Sequence, residues 1–124
     1  MKNILRICKF EEAGENTVLQ QTSAFLAEYA SLLWGCGATS IRIEKNTGRI
    51  AKALGVNFDI CIMPAHVEVS VWDTDRTCAV VALRKTASCG ISFNLNAALS
   101  SLSWEVEDNQ LDLSTALKRF ERLR

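Results

Sequence analysis

The hydrophobic period of this chain changes at Gly55, and that change decides the fold class. Before Gly55 apolar residues recur every three or four positions, as on one face of a helix. After it they alternate. Val56, Phe58, Ile60 and Ile62 share one face of a first strand running from Val56 to Met63. Pro64-Ala65 is a short turn, and Val67, Val69 and Val71 share a face of a second strand from His66 to Trp72. Asp73-Thr74-Asp75 is a second turn, made of residues whose side chains bond their own backbone. Cys78 to Arg84 is a third strand. Connections this short leave no room for a crossover helix, so successive strands pair antiparallel as a meander. The helical period returns after Gly90. The chain therefore reads as two helices, a three-stranded antiparallel meander and two helices: an α+β fold with the helices packed mainly on one sheet face. The other face presents Asn57, Asp59, His66, Glu68 and Ser70 to water, a partner or a ligand.

Helix boundaries follow from capping chemistry. Asn16 caps the first helix, whose buried face is Val18, Thr22, Phe25, Leu26, Tyr29, Leu32 and Leu33. Gly35 or Gly37 ends it. A second helix starts at Thr39 or Ser40 and ends by Gly55, burying Ile43, Thr47, Ile50, Ala51 and Leu54. Gly48 lies inside this helix, where glycine costs roughly 1 kcal/mol against alanine, and so marks a close helix contact. Ser92 or Asn94 caps the third helix, with a stripe of Leu95, Ala98, Leu99, Leu102 and Val106. Asp112 caps the fourth, which carries Leu113, Ala116, Leu117, Phe120 and Leu123. Residues 1–15 form an N-terminal arm or short helix, and residues 16–124 a single domain.

Composition excludes several functions. Lys+Arg and Asp+Glu number 14 each, so there is no net field to draw in nucleic acid, and no basic-aromatic cluster supplies one locally. No window approaches the roughly 18–20 apolar residues needed to cross a bilayer, and Met1 to Phe10 lacks a signal peptide's apolar core. The five cysteines are odd in number and none sits at C-x-x-C spacing, which points to reduced thiols in a cytosolic compartment rather than a disulfide framework or zinc site. Cys61 and Cys78, in strands, are expected as small core residues. No motif calls for a cofactor or a metal.

The segment Trp34 to Gly55, WGCGATSIRIEKNTGRIAKALG, resembles the threonine/serine exporter family. Its members carry a helix, a Gly-Ala turn, an Arg-x-Glu in the next helix, and an Ala-Leu-Gly before the first strand. Gly37-Ala38, Arg42, Glu44 and Ala53-Leu54-Gly55 match. The likeness resumes at Arg84, Gly90, Leu111-Asp112-Leu113 and Ala116-Leu117, so that it covers about Leu26 to Leu123. Thr39 and Ser92 depart from the acid and the asparagine that members often carry there. The resemblance implies export of a small hydrophilic metabolite, of threonine/serine type or a short dicarboxylate. It also implies that the membrane helices doing the transport belong to a further part of the same chain or to a partner. This chain would be their domain on the cytoplasmic face of the inner membrane, gating, regulating or assembling them. The cations Lys118, Arg119, Arg122 and Arg124 agree with a cytoplasmic flank of a membrane span, and equally with a helix end whose dipole favours positive charge.

Four residues are the candidates for contact with a small polar metabolite: Arg42, Glu44, His66 and Arg84. Arg42 and Glu44, two apart on a helix, point about 200° apart and do not pair with each other, so a structural bond to a neighbouring helix competes with the solute reading. His66 starts a strand and is the only histidine. Arg84 and Lys85 end a strand, where arginine's two-pronged donor set suits a carboxylate. Cys36 lies between two glycines at a helix junction, which permit exposure, and a following helix N-terminus lowers a thiol's pKa. With His66 and Glu44 it supplies the only parts for a second reading, a hydrolase-like enzyme. A third reading is an oligomerisation module, in which Trp104, off the stripe of its helix, or the outer sheet face would meet another copy.

Overall fold

The computed structural model describes residues 13–73, 79–86 and 90–124. Its elements are α1 (Ala13–Gly35), α2 (Ser40–Ala53), β1 (Asn57–Ile62), β2 (His66–Trp72), β3 (Ala79–Lys85), α3 (Phe93–Asp108) and α4 (Leu113–Leu123). The sheet is a meander in the order β1-β2-β3, antiparallel throughout. The expected α+β order therefore holds. Most of the N-terminal arm lies outside the described residues, as do Thr74 and Asp75 of the second strand turn and Cys78.

Strand register follows from alternation. Phe58 pairs with Val71 and Val71 with Val80; Ile60 pairs with Val69 and Val69 with Ala82. These rows lie on the face covered by helices, with α1 on β2 and β3 and α2 on β1. The next row, Ile62, Val67 and Arg84, puts an arginine on the same face at its end. Cys61 falls between Ile60 and Ile62 and is exposed, contrary to its expected place in the core. Period-two geometry outweighs the thiol's apolar character there.

The first helix departs most from expectation. It begins at Ala13, so Asn16 is inside it rather than at its cap. Val18 is exposed, while Ser23, Ala27, Ala30 and Ser31 are buried together with the expected stripe. The helix touches the sheet and all three other helices, so it is covered nearly all round. A buried large side chain contributes about 1.5–3 kcal/mol, and α1 supplies Phe25, Leu26, Tyr29 and Leu33. Phe25, Tyr29 and Phe120 of α4 form a three-ring cluster with centroids 5.5–6.3 Å apart.

The other boundaries match their capping chemistry. Thr39, Ser92 and Asp112 each accept a hydrogen bond from the backbone N–H three residues on. Gly37 has φ +99°, and Ala38 N–H donates to Leu33 O in the closing turn of α1. A Cβ at Gly37 would also lie 3.2 Å from Ile91, so this glycine both turns the chain and admits the loop before α3. Gly48 does mark a close contact, but with a strand: a Cβ there would lie 3.0 Å from the Phe58 ring of β1.

Candidate functional site

Helices α2 and α3 pack side by side in the same direction. Arg42 meets Asn96 and Ser100, Asn46 meets Ser100, and Arg49 meets Ser103, so positions on both helices advance together. Their N-terminal ends therefore lie together at one end of the molecule, and both macrodipoles present a positive end there.

The seam between them is polar at its outer edge. Arg42 Nη1 donates to Asn96 Oδ1 and to Ser100 Oγ, each at 3.3 Å. Asn46, itself buried, donates from Nδ2 to Ser100 Oγ at 2.9 Å. Arg49 Nη1 donates to Asn46 Oδ1 at 2.9 Å and to Ser103 Oγ at 2.8 Å. Ser103 passes its own proton to Ser100 O at 2.7 Å. The Arg49 guanidinium lies 3.7 Å over the Trp104 ring, a cation–π contact that holds the half-exposed indole in place. Thr39, Ile41 and Lys45, with Arg42, Asn46, Arg49, Ser100 and Trp104 of the seam, line an open cavity of about 390 Å³.

Spacing on α2 explains why three cations meet there. Positions 42, 45 and 49 fall within about 60° of one another around a helix of 3.6 residues per turn. Glu44 falls on the far side of that arc and is exposed, with no hydrogen bond or ion pair among the described residues. No Asp or Glu lines the cavity. Arg42, Lys45 and Arg49 have no carboxylate partner among the described residues, whereas Arg84, Arg119 and Arg124 all do.

Beneath the groove, Tyr29 of α1 donates its hydroxyl proton to Leu99 O. Burial pushes the phenol pKa well above its ordinary value; hydrogen bonding with Ser103 and Asn46 and the charge of Arg49 only partly oppose this. The polar seam is thus anchored in the aromatic cluster of the core.

The sequence-derived candidates do not converge. Arg42 enters the groove. Arg84 lies on the helix-covered side of the sheet, where its Nε reaches Glu28 Oε1 at 2.6 Å and ties β3 to α1. His66 is exposed at the start of β2 and has no side-chain hydrogen bond among the described residues. Cys36 is buried, and its thiol points back to Leu33 O at 3.4 Å. The loop before α3 covers it, with Ser92 N–H donating to Cys36 O at 3.0 Å. Sequence reasoning missed Lys45, Asn46, Arg49, Ser100 and Ser103. The cations at 42, 45 and 49, spaced three and then four, were the available signal for the first and third of these.

The model of the threonine/serine exporter (ThrE) family matches residues 24–124. The chain belongs to the threonine/serine exporter family. The match runs from within α1 to the chain's last residue and takes in the sheet, the α2–α3 groove and the aromatic cluster. No curated protein and no solved structure matches the chain. Membership ties the chain to threonine/serine exporter-related transport. Among the described residues no helix is long and apolar enough to cross a membrane.

Proposed function

We propose that this chain is the non-membrane domain of a small-metabolite exporter of threonine/serine or short-dicarboxylate type. It sits on the cytoplasmic face of the inner membrane and gates, regulates or assembles the transmembrane helices of the same or a partner chain. One observation carries the reading: the exporter family model falls on a folded unit whose described helices do not span lipid. Moving a solute across the bilayer needs a spanning path, so such a unit contributes control or assembly rather than the path itself. The α2–α3 groove is its contact surface, because it gathers donors that the fold leaves without charge partners.

The test is an efflux assay. Cells loaded with threonine through a peptide precursor are compared with and without the gene, and then with the gene restored as the double variant Arg42→Gln, Arg49→Gln. The expected result is slower efflux without the gene and incomplete recovery with the double variant. Equal efflux in the presence and absence of the gene, for threonine, serine and a short dicarboxylate alike, removes the proposal.

A further inference from the structure

We infer that the α2–α3 groove is a binding site for a compact oxyanion carrying at least two negative charges, and that it discriminates against zwitterions. The inference rests on reading this groove as the domain's contact surface, and adds the class of ligand that the surface takes.

Arg42, Lys45 and Arg49 stand three and four residues apart on one helix face, where like charges repel. Three other arginines are met by carboxylates: Arg84 and Arg124 share Glu28, and Arg119 has Glu105. In the groove the acceptors are instead an asparagine amide and serine hydroxyls. These orient the guanidinium groups without neutralising them. Each arginine uses only Nη1 in these bonds, so among the described residues Nε and Nη2 of both, and the Lys45 ammonium, keep their donors for a ligand. The start of α2, whose cap residue Thr39 lines the cavity, adds the positive end of a helix dipole.

Geometry adds rigidity. Arg49 is clamped between Asn46, Ser103 and the Trp104 ring, and Ser103 is fully buried. Holding a guanidinium this way spends its ordering entropy before a ligand arrives. The cavity, about 390 Å³, admits a small metabolite headgroup.

The same inventory sets the selectivity. A zwitterionic amino acid brings an ammonium that needs a carboxylate or several carbonyls, and the lining holds no Asp or Glu. Its ammonium would sit among three cations. A carboxylate pair or a phosphoryl group presents only acceptors and gains from every donor. Both carry the required chemistry, and the experiment separates them.

The experiment is a titration of the full chain at low ionic strength with inorganic phosphate, with malonate and with threonine. It is followed by calorimetry and by the indole N–H and arginine side-chain resonances in NMR. Saturable binding of phosphate or malonate is expected, with shifts at Trp104 and Arg49. Arg42→Gln or Arg49→Gln should weaken it about tenfold, as loss of a charge-assisted bond worth about 1.4 kcal/mol requires. Threonine should bind at least tenfold more weakly than the better anion. Whichever of phosphate and malonate binds more tightly names the source. Circular dichroism of each variant shows that lost binding is not lost folding, and Lys45→Gln, which removes no bond of the fold, repeats the test. The inference is overturned by no saturable shift at these residues, by equal affinity in the variants, or by threonine binding as tightly as malonate. None of these outcomes bears on efflux, so the exporter reading survives or fails separately.

Discussion

The two helix seams of this molecule handle positive charge in opposite ways. Where α4 meets α1, rings fill the interior and Arg124 at the edge reaches Glu28 at 3.3 Å, the acid that Arg84 of β3 also reaches, at 2.6 Å. Where α3 meets α2, the interior is closed by Ile43, Ile50, Leu99 and Leu102, yet the edge carries three cations facing only neutral acceptors. The first arrangement is what a seam needs in order to hold. The second is more than holding requires, since serine and asparagine would bridge two helices without any arginine. Charge left uncompensated at a stability cost separates a surface kept for contact from one that merely closes the fold.

That contrast makes the α1–α4 seam the place where damage should be greatest. Phe120→Ala removes a ring packed against both Phe25 and Tyr29 and leaves a cavity, and should cost about 3–5 kcal/mol. The urea midpoint measures it. A loss below about 1 kcal/mol would mean the seam is not where stability resides. Next comes Tyr29, which belongs to both seams. Its folded-state pKa is raised by burial above the ordinary 10.0, so the folded chain holds the phenol proton more tightly than the unfolded chain does. Stability from this group is complete below pH 10 and drains away as pH climbs above it. Tyr29→Phe should remove that alkaline sensitivity, while costing about 1–3 kcal/mol at neutral pH because the Leu99 carbonyl and Ser103 lose their buried partner. Stability curves at pH 7 and above pH 10, with and without the hydroxyl, check both halves.

Much of this was readable from the chain alone. The change of period at Gly55, the caps at Thr39, Ser92 and Asp112, and the inward valines of β2 are local signals, and local signals survive folding. The burial of α1 on nearly all sides was not legible, because Ser23, Ala27 and Ala30 look like a polar or neutral face until the sheet packs against them. Cys36 shows a related limit: its flanking glycines permit exposure, but the loop at Ile91 and Ser92 closes over it. The groove was legible in one half only. Spacing puts the α2 cations on one arc, but which residues of α3 would answer them depends on the parallel packing of two helices separated by the whole sheet. No local rule sets that. Arg84 illustrates the same limit, since its carboxylate partner lies 56 residues away.

The smallest effects sharpen the comparison most, because their signs should differ. Glu28→Gln removes the acid of Arg84 and the nearer of the two that Arg124 has, Glu121 remaining at 3.7 Å, and with all three groups about a third to a half exposed it should cost only about 0.2–1 kcal/mol, less in high salt. Lys45→Gln acts the other way. Lys45 is exposed, has no acceptor among the described residues, and stands three and four residues from two other cations on one helix face. Removing it relieves two repulsive pairs, each worth about 0.2–0.5 kcal/mol in isolated helices. Glutamine keeps the helix propensity of lysine within a few tenths of a kcal/mol, so propensity does not mask the change. The variant should therefore match or exceed the parent in stability at low ionic strength, by up to about 0.5 kcal/mol, and the gain should vanish as salt screens the repulsion. Paired urea titrations at low and high salt read this directly. A destabilised Lys45→Gln would mean that the lysine has a partner in the folded chain and that the groove's charge is structural. A stabilised one would mean that the fold carries net repulsion in this groove, which is the physical signature of a site waiting for an anion.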